Sequence, residues 1–297
     1  MLQSHDILCI GSVLWDVIGR APYHMGLGSD VPGRIERIPG GVAMNIAMTL
    51  SRFGLKPALL SAIGRDAEGD DLVRACAAFG METGFLYRSD DLPTDRYIAV
   101  EGANGLIAAI ADAHSLERAG AKILAPLSDG RLGTADTPYA GPVALDGNLT
   151  LELLQEIAVS PLFAAADLRV APASPGKADR LLPFLNHSRA VLYVNREEAG
   201  LLCQQSFPDA FSAAEGLLAR GAARVLVTDG GAAAAEGHAG RVLELTPRQV
   251  MVTRVTGAGD TFMAAHIAAE ARGERGLVAF EIALAAAADY VSGETAL

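Results

Sequence analysis

Short apolar runs alternating with helix-length segments recur along this sequence, and that alternation most restricts what the chain can fold into. "DILCIGS", "KPALLSAIG", "GPVALDGN", "ADLRVAP", "AVLYVN" and "RVLVTDGG" read as buried strands. Between and after them, "GGVAMNIAMTLSRFG", "DAEGDDLVRACAAFG", "TLELLQEIAV", "KADRLLPFLN", "REEAGLL" and "AAEGLLARG" read as helices, several stopped by glycine. Strands this uniformly apolar need both faces covered, so the pattern predicts an α/β fold: a doubly wound, mainly parallel sheet with helices on both faces. With 297 residues, 51% of them hydrophobic, the chain suffices for one such domain spanning 1–297. Two segments break the alternation. Val17–Pro39 is interrupted by glycines and prolines, and "DRYIAVEGANGLIAAIAD" places two apolar runs around "GANG", a β-hairpin signal. These predict a small β-sheet lid, formed by about 13–38 and 95–113, over the carboxyl edge of the main sheet, where open α/β sheets bind ligands.

Charge and cysteine usage narrow the partners. A net charge of −11 argues against nucleic acid but leaves room for a small anion held in a local cradle. Cys9, Cys76 and Cys203 are far apart, which argues against a disulfide framework or zinc site and for a reducing compartment. The six histidines show no metal spacing and read as structural or surface residues. The start of the chain has no secretion pattern, and no apolar run is long enough to span a membrane, so the expectation is a cytoplasmic protein.

The strongest local signal for chemistry is "VTGAGDTF". At a helix start, the N–H groups of Gly257, Ala258 and Gly259 can converge on one oxyanion, with Asp260 beside it to accept a proton. The alternative is a capped helix after a tight turn, and the motif alone does not choose. It is neither a Walker A loop nor a dinucleotide fingerprint. In "NREE", Asn195 and Glu198 either order water around Mg²⁺ or form a helix N-cap with an acidic first turn, the commoner case. "VTDGG" offers Thr228 and Gly230 to a nucleotide, or is an ordinary turn. Asp16, with Gly40, Gly41 and Asn45 of "GGVAMN", supplies the carboxylate, amide and bare backbone that vicinal sugar hydroxyls need. Asn45 alone reads equally as a helix-start cap. Asp146 and Asn148 of "DGN" are turn formers or phosphate-side groups.

In order, "PGGVAMNIAMTLSRFG", "AIGRDAEGDDL", "NREEAGLL", "VTDGG" and "VTGAGDTFMA" resemble the landmarks of the ribokinase or PfkB family of sugar and nucleoside kinases. The resemblance covers nearly the whole chain and implies ATP-dependent phosphorylation of a hydroxymethyl group. It implies Asp260 as catalytic base, Gly257–Gly259 as anion hole, Asn195 and Glu198 organising Mg²⁺ (Glu198 through water), and Thr228 and Gly230 bordering ATP. Asp16, Gly40, Gly41 and Asn45 would hold the sugar. "VPGRIERIPGGVAMNIA", "NGLIAAIAD", "ALDGNLT", "APASPGKADRLLPFL" and "RVTGAGD" are similar to the pseudouridine kinases of that family, which phosphorylate a C-nucleoside at its 5′-hydroxyl. The hairpin from Tyr97 to Asp112 would then face the base, with Asp112 a substrate-binding candidate, and Lys177 of "SPGK" is a nucleotide contact or a solvated helix-start lysine. Alternatives are a kinase of another nucleoside or of a free sugar such as ribose or fructose, and a non-catalytic nucleoside- or sugar-binding sensor. Many relatives carry an aspartate, associated with a monovalent cation, three residues before the first loop glycine. Arg254 stands there, which puts K⁺ activation in question. An exposed lid sheet also invites pairing with a second copy, so a homodimer through the lid is expected.

Overall fold

Alternate residues of the central strands feed two different cores. On β1 (Ile7–Ile10), Leu8 and Ile10 join one apolar cluster while Ile7 and Cys9 join the other. A strand buried on both faces must read as a continuous apolar run, which is why these segments show no polar alternation.

A computed structural model of the chain describes residues 5–294; residues 1–4 and 295–297 of the expected domain lie outside the described residues. After β1 come β2 (Leu14–Arg20), β3 (Arg34–Gly40) and helix α1 (Val42–Arg52). Next are β4 (Pro57–Leu60), β5 (Ala62–Gly64), α2 (Ala67–Ala78) and β6 (Tyr87–Ser89). The hairpin β7 (Arg96–Gly102) and β8 (Gly105–Asp112) leads into the short α3 (His114–Ala119). β9 (Pro142–Asp146), α4 (Leu151–Val159), β10 (Asp167–Ala171) and β11 (Ala190–Asn195) follow, then α5 (Arg196–Cys203) and α6 (Ala210–Ala219). The chain continues through β12 (Arg224–Thr228), β13 (Ala234–His238), β14 (Arg241–Leu245), α7 (Ala258–Ala271) and α8 (Leu277–Ser292).

The main sheet has the order β14-β13-β12-β11-β10-β9-β1-β4 and is parallel from β4 through β12. Helices α1, α2, α7 and α8 cover one face through Met44, Leu50, Leu72, Phe262, Met263 and Phe280. Helices α4, α5 and α6 cover the other through Leu153, Leu154, Leu202, Ala213 and Leu217. The expected doubly wound α/β architecture is therefore present. A second sheet, ordered β3-β2-β7-β8, is built from the two segments that broke the alternation. Between β2 and β3, the Met25 backbone exchanges two bonds with the Asn104 side-chain amide, and the Tyr23 carbonyl accepts from the Ala103 N–H, which ties this segment to the β7–β8 turn.

Three local differences from the sequence reading have physical causes. "KADRLLPFLN" lies largely in a 3₁₀ winding, Pro175–Phe184, rather than an α-helix; in an α-helix the ring of Pro183 would clash with the carbonyl four residues before it. Residues 114–127 form α3 and a further 3₁₀ segment, Gly120–Leu127, before the alternation resumes. The β13–β14 hairpin arises from a stretch that reads as a short alanine tract. Its two-residue turn, Ala239 and Gly240, has φ of 51° and 73°, the left-handed pair that matches strand twist.

Candidate active site

Strand carboxyl ends and helix amino ends meet along one edge of the main sheet. Asp146 closes β9, while Asn195 and Thr228 close β11 and β12 in direct register. The amino ends of α1 and α7 reach the same edge. Gly41 is the N-cap of α1, and its φ of 97° is open to glycine at little cost; a Cβ there would lie 2.4 Å from the Ser12 carbonyl oxygen. Gly40 beside it makes room for Asp16, since a Cβ on Gly40 would stand 2.0 Å from that carboxylate. The "GG" pair thus has two separate reasons, one conformational and one steric.

Asn45 and Asp260, 215 residues apart in the chain, are brought together here. Asn45 Nδ2 donates to Asp260 Oδ2 at 2.9 Å. Gly257, with φ of 87°, caps α7, and Asp260 sits in the first turn of that helix. The Ala258 N–H donates to the Val255 carbonyl at 3.1 Å, whereas Gly259 and Asp260 head α7, where N–H groups lack helical partners. A Cβ on Gly259 would meet nothing within 4 Å, so the loop's outer side is open.

Asp260, Glu198 and Asp16 share one electrostatic condition. Burial pushes Asp260 up to about 7, and the charges of Asp146 and Glu198 add to the effect against the Asn45 hydrogen bond. Burial also raises Glu198 to about 7 and Asp16 to about 6. Glu198 Oε2 accepts from the Asn195 N–H at 2.8 Å, and Asn195 Oδ1 accepts from the Glu198 N–H at 2.9 Å, a reciprocal capping box. The helix-cap reading of "NREE" is thus present in the geometry, and the charge of Glu198 still reaches Asp260.

Ser12 is the residue that sequence reasoning missed. Its N–H and hydroxyl both donate to Asp146 Oδ2, at 2.8 and 2.5 Å, and its oxygen accepts from the Val42 N–H that opens α1. Asp146, fully buried, also accepts from the Asn148 N–H at 2.7 Å, and Asn148 Oδ1 accepts from Lys177 Nζ at 2.6 Å. Lys177 is therefore a half-buried member of this network rather than a solvated lysine, with its pKa lowered by burial and by Arg180. No local spacing marks Ser12 in the sequence, because its role depends on Asp146, 134 residues away.

Gly230 and Asp112 differ in their surroundings. Gly230, with φ of 58°, lies in an open turn where a Cβ would meet nothing. Asp112 pairs across the small sheet with Arg96, which pairs with Trp15, whereas Asp16 pairs with Tyr97. Asp112 thus lies on the sheet face opposite to Asp16, and its carboxylate contacts His114 Nδ1 at 2.9 Å.

The far end of α7 is organised differently. Glu270 binds Arg169 and Arg224, the latter at 2.7 Å, and Arg224 also binds Glu236 at 2.5 Å. Burial alone would raise Glu270, but Arg169 and Arg224 outweigh it and hold its pKa near 2. His266, fully buried and lowered by burial to about 3, is neutral. Arg224 donates toward its Nε2, which leaves the ring proton on Nδ1 facing the Tyr193 hydroxyl at 2.8 Å. A cavity of about 740 Å³ opens on this network, at the sheet edge remote from Asp260.

A family model for pfkB family carbohydrate kinases matches residues 4–295, and the chain belongs to that family. The pseudouridine kinase of Escherichia coli (strain K12) is 28% identical over 273 residues, covering 89% of this chain and 83% of that protein. An uncharacterized sugar kinase of the same organism, YeiI, is 29% identical over 192 residues, 63% of this chain. That match takes in 50% of the relative, so the chain spans about half of its length. A solved structure of Arabidopsis thaliana ribokinase, complexed with ribose and ATP, superimposes with a TM-score of 0.79 at 20% identity, over 99% of this chain and 95% of that one. The fold is ribokinase-like. Among the described residues, no helix is long and apolar enough to cross a membrane, and no group of three or more His, Cys, Asp or Glu side chains is placed to hold a metal ion.

Proposed function

We propose that this pfkB family member transfers the γ-phosphoryl group of ATP to the 5′-hydroxyl of pseudouridine, with Asp260 as the general base. The observation that carries the reading is the Asp260 carboxylate itself. It stands at the head of α7, is oriented by Asn45 and is pushed to about 7, where a carboxylate both takes and releases a proton near neutral pH. Asn45 occupies Oδ2, which leaves Oδ1 for the acceptor hydroxyl. As the hydroxyl oxygen bonds to the γ-phosphorus, its proton passes to Asp260 and the bond to ADP breaks. In this reading the N–H groups of Gly257 and Gly259 donate to the transferring group, and that of Ala258, bonded to the Val255 carbonyl, joins them if this turn bond opens. Asp16, Gly40, Gly41 and Asn45 hold the ribose. Thr228, Gly230, Asn195 and Lys177 border the nucleotide.

The donor chemistry fits Mg²⁺ carried on the ATP phosphates rather than caged by protein. Glu198 and Asp146 supply negative charge beside Asp260 without forming a three-ligand cluster among the described residues. Glu198 would hold the ion through water, and the ion supplies charge neutralisation on the transferring phosphoryl. The small sheet acts as the lid, excluding water from the transfer. Its outer face carries exposed Ile35, Ile98 and Ile110, the surface on which a second copy would pair.

The similarity to an E. coli sugar kinase favours a second reading, a kinase of another nucleoside or of ribose or fructose. A non-catalytic sensor has no use for an activated Asp260. Incubation with ATP·Mg²⁺ and pseudouridine, uridine, adenosine, ribose and fructose, followed by mass spectrometry, decides among them. Pseudouridine 5′-phosphate as the main product is expected. Turnover of free sugars without pseudouridine would replace the substrate assignment, and nucleoside binding with no turnover would leave the sensor.

A further inference from the structure

The segment that enters the anion loop is strapped to the last turn of α8. The Thr253 N–H donates to the Val291 carbonyl at 2.8 Å, its hydroxyl to the same oxygen at 3.1 Å, and the Arg254 N–H to it at 3.3 Å. Arg254 Nε donates to the Tyr290 carbonyl at 2.8 Å, and its guanidinium lies 4.0 Å from the centroid of the Tyr290 ring. The Tyr290 hydroxyl then donates to the Thr256 carbonyl at 2.8 Å, immediately before Gly257. A Cβ on Gly257 would stand 2.6 Å from that hydroxyl, so the loop fits closely onto the ring.

Carbonyls in the last turn of a helix are the negative end of its dipole and attract a cation. Here the cation is covalent: a delocalised guanidinium that binds a carbonyl and stacks on an aromatic face. The residue set does not fit the aspartate-linked monovalent cation that the family resemblance implies. Arg254 occupies the aspartate's position, and the small cavity of about 20 Å³ behind Gly257 is bordered by Arg52 and, among the described residues, by no carboxylate.

We infer that Arg254 is a built-in cation that positions the anion loop against α8, so that phosphoryl transfer by this chain does not depend on a bound monovalent ion. Arg254 is a positioning residue: it acts through Tyr290 and Thr256 on the N–H groups of Gly257–Asp260. The inference rests on the kinase reading for its rate consequences but not for its structural ones, and the test separates the two.

The structural arm uses hydrogen exchange on the ligand-free protein, comparing wild type with Arg254→Gln and Arg254→Lys. Arg254→Gln should raise exchange across 253–261 by about tenfold or more while leaving 266–271 as in wild type. Arg254→Lys, which keeps the charge, should stay within about threefold. Replacing tetramethylammonium chloride by potassium chloride at equal ionic strength should leave wild-type exchange in the loop unchanged. The kinetic arm uses whichever acceptor the panel identifies. Wild-type kcat should change less than twofold between the two salts, and Arg254→Gln should lose about tenfold or more in kcat with KM changed less than threefold. Wild-type loop exchange or kcat that responds fivefold to K⁺, or an Arg254→Gln protein with wild-type loop exchange, overturns the inference. If no acceptor in the panel turns over, the exchange arm alone decides.

Discussion

Two carboxylates on one helix, Asp260 in the first turn of α7 and Glu270 in its last, meet opposite fates. Glu270 is buried and Asp260 half-buried, yet burial pushes Asp260 to about 7 while Arg169 and Arg224 draw Glu270 down to about 2. The amino end faces two more carboxylates and takes a hydrogen bond from the Asn45 amide, whereas the carboxyl end is a network of arginines, glutamates, a tyrosine and a neutral histidine. The difference separates a group held ready to exchange a proton from one that fixes the helix in place. Unrelieved electrostatic tension at one end is tolerable because the charges at the other end are paired with one another.

The contrast can be broken at its reactive end first. Asp260→Asn should lower kcat by about 10²- to 10⁴-fold while ATP affinity, followed by titration calorimetry, stays near wild type. Glu270→Ala should do the reverse. Removing it leaves Arg169 and Arg224 buried against too few anions, a loss of about 3–5 kcal/mol that thermal melting would register as a fall in Tm of roughly 10 °C. The kcat of the folded fraction should remain within about twofold of wild type. Gly40→Ala comes next. Its methyl displaces the Asp16 carboxylate, and KM for the acceptor should rise about tenfold, about 1.4 kcal/mol, with little change in kcat.

The smallest effect is on stability against pH, and its sign separates the two ends. A carboxylate raised from 3.8 to about 7 favours the protonated folded state, so its presence costs stability as pH rises through that window. Asp260→Asn should therefore stabilise more at pH 8 than at pH 5, by about 1 kcal/mol given its partial exposure. Glu270, lowered from 4.5 to about 2, stabilises above that range and loses its contribution only as the pH falls through it. An Asp260→Asn protein with the same Tm advantage at both pH values would remove the electrostatic half of the comparison.

The two ends also differ in how far the sequence betrayed them. Gly257, Gly259 and Asp260 announce themselves locally as a glycine-led helix start, whereas the pairing of Asp260 with Asn45, 215 residues away, emerges only in the structure. The strand alternation that fixed the main sheet is equally local. Ser12 and Tyr290 were invisible for the opposite reason. Each acquires its role from a partner far along the chain, Asp146 for Ser12 and Thr256 for Tyr290, and neither has a spacing that marks it. The Arg169–Glu270–Arg224 network likewise joins β10, α7 and β12, where single charges in apolar runs read only as interruptions. The β13–β14 hairpin was hidden by an Ala-Gly turn whose left-handed pair is more often written with asparagine or aspartate.

The most direct test is to titrate both α7 carboxyls in one sample. Carbon-13 NMR of ligand-free protein labelled at Asp and Glu carboxyls, with Asp260→Asn and Glu270→Gln used for assignment, gives both midpoints. The account predicts that Asp260 titrates near 7 and that Glu270 stays ionised until the acid limit of folding. An Asp260 midpoint near 4, or a Glu270 resonance titrating at or above its ordinary value, would contradict it.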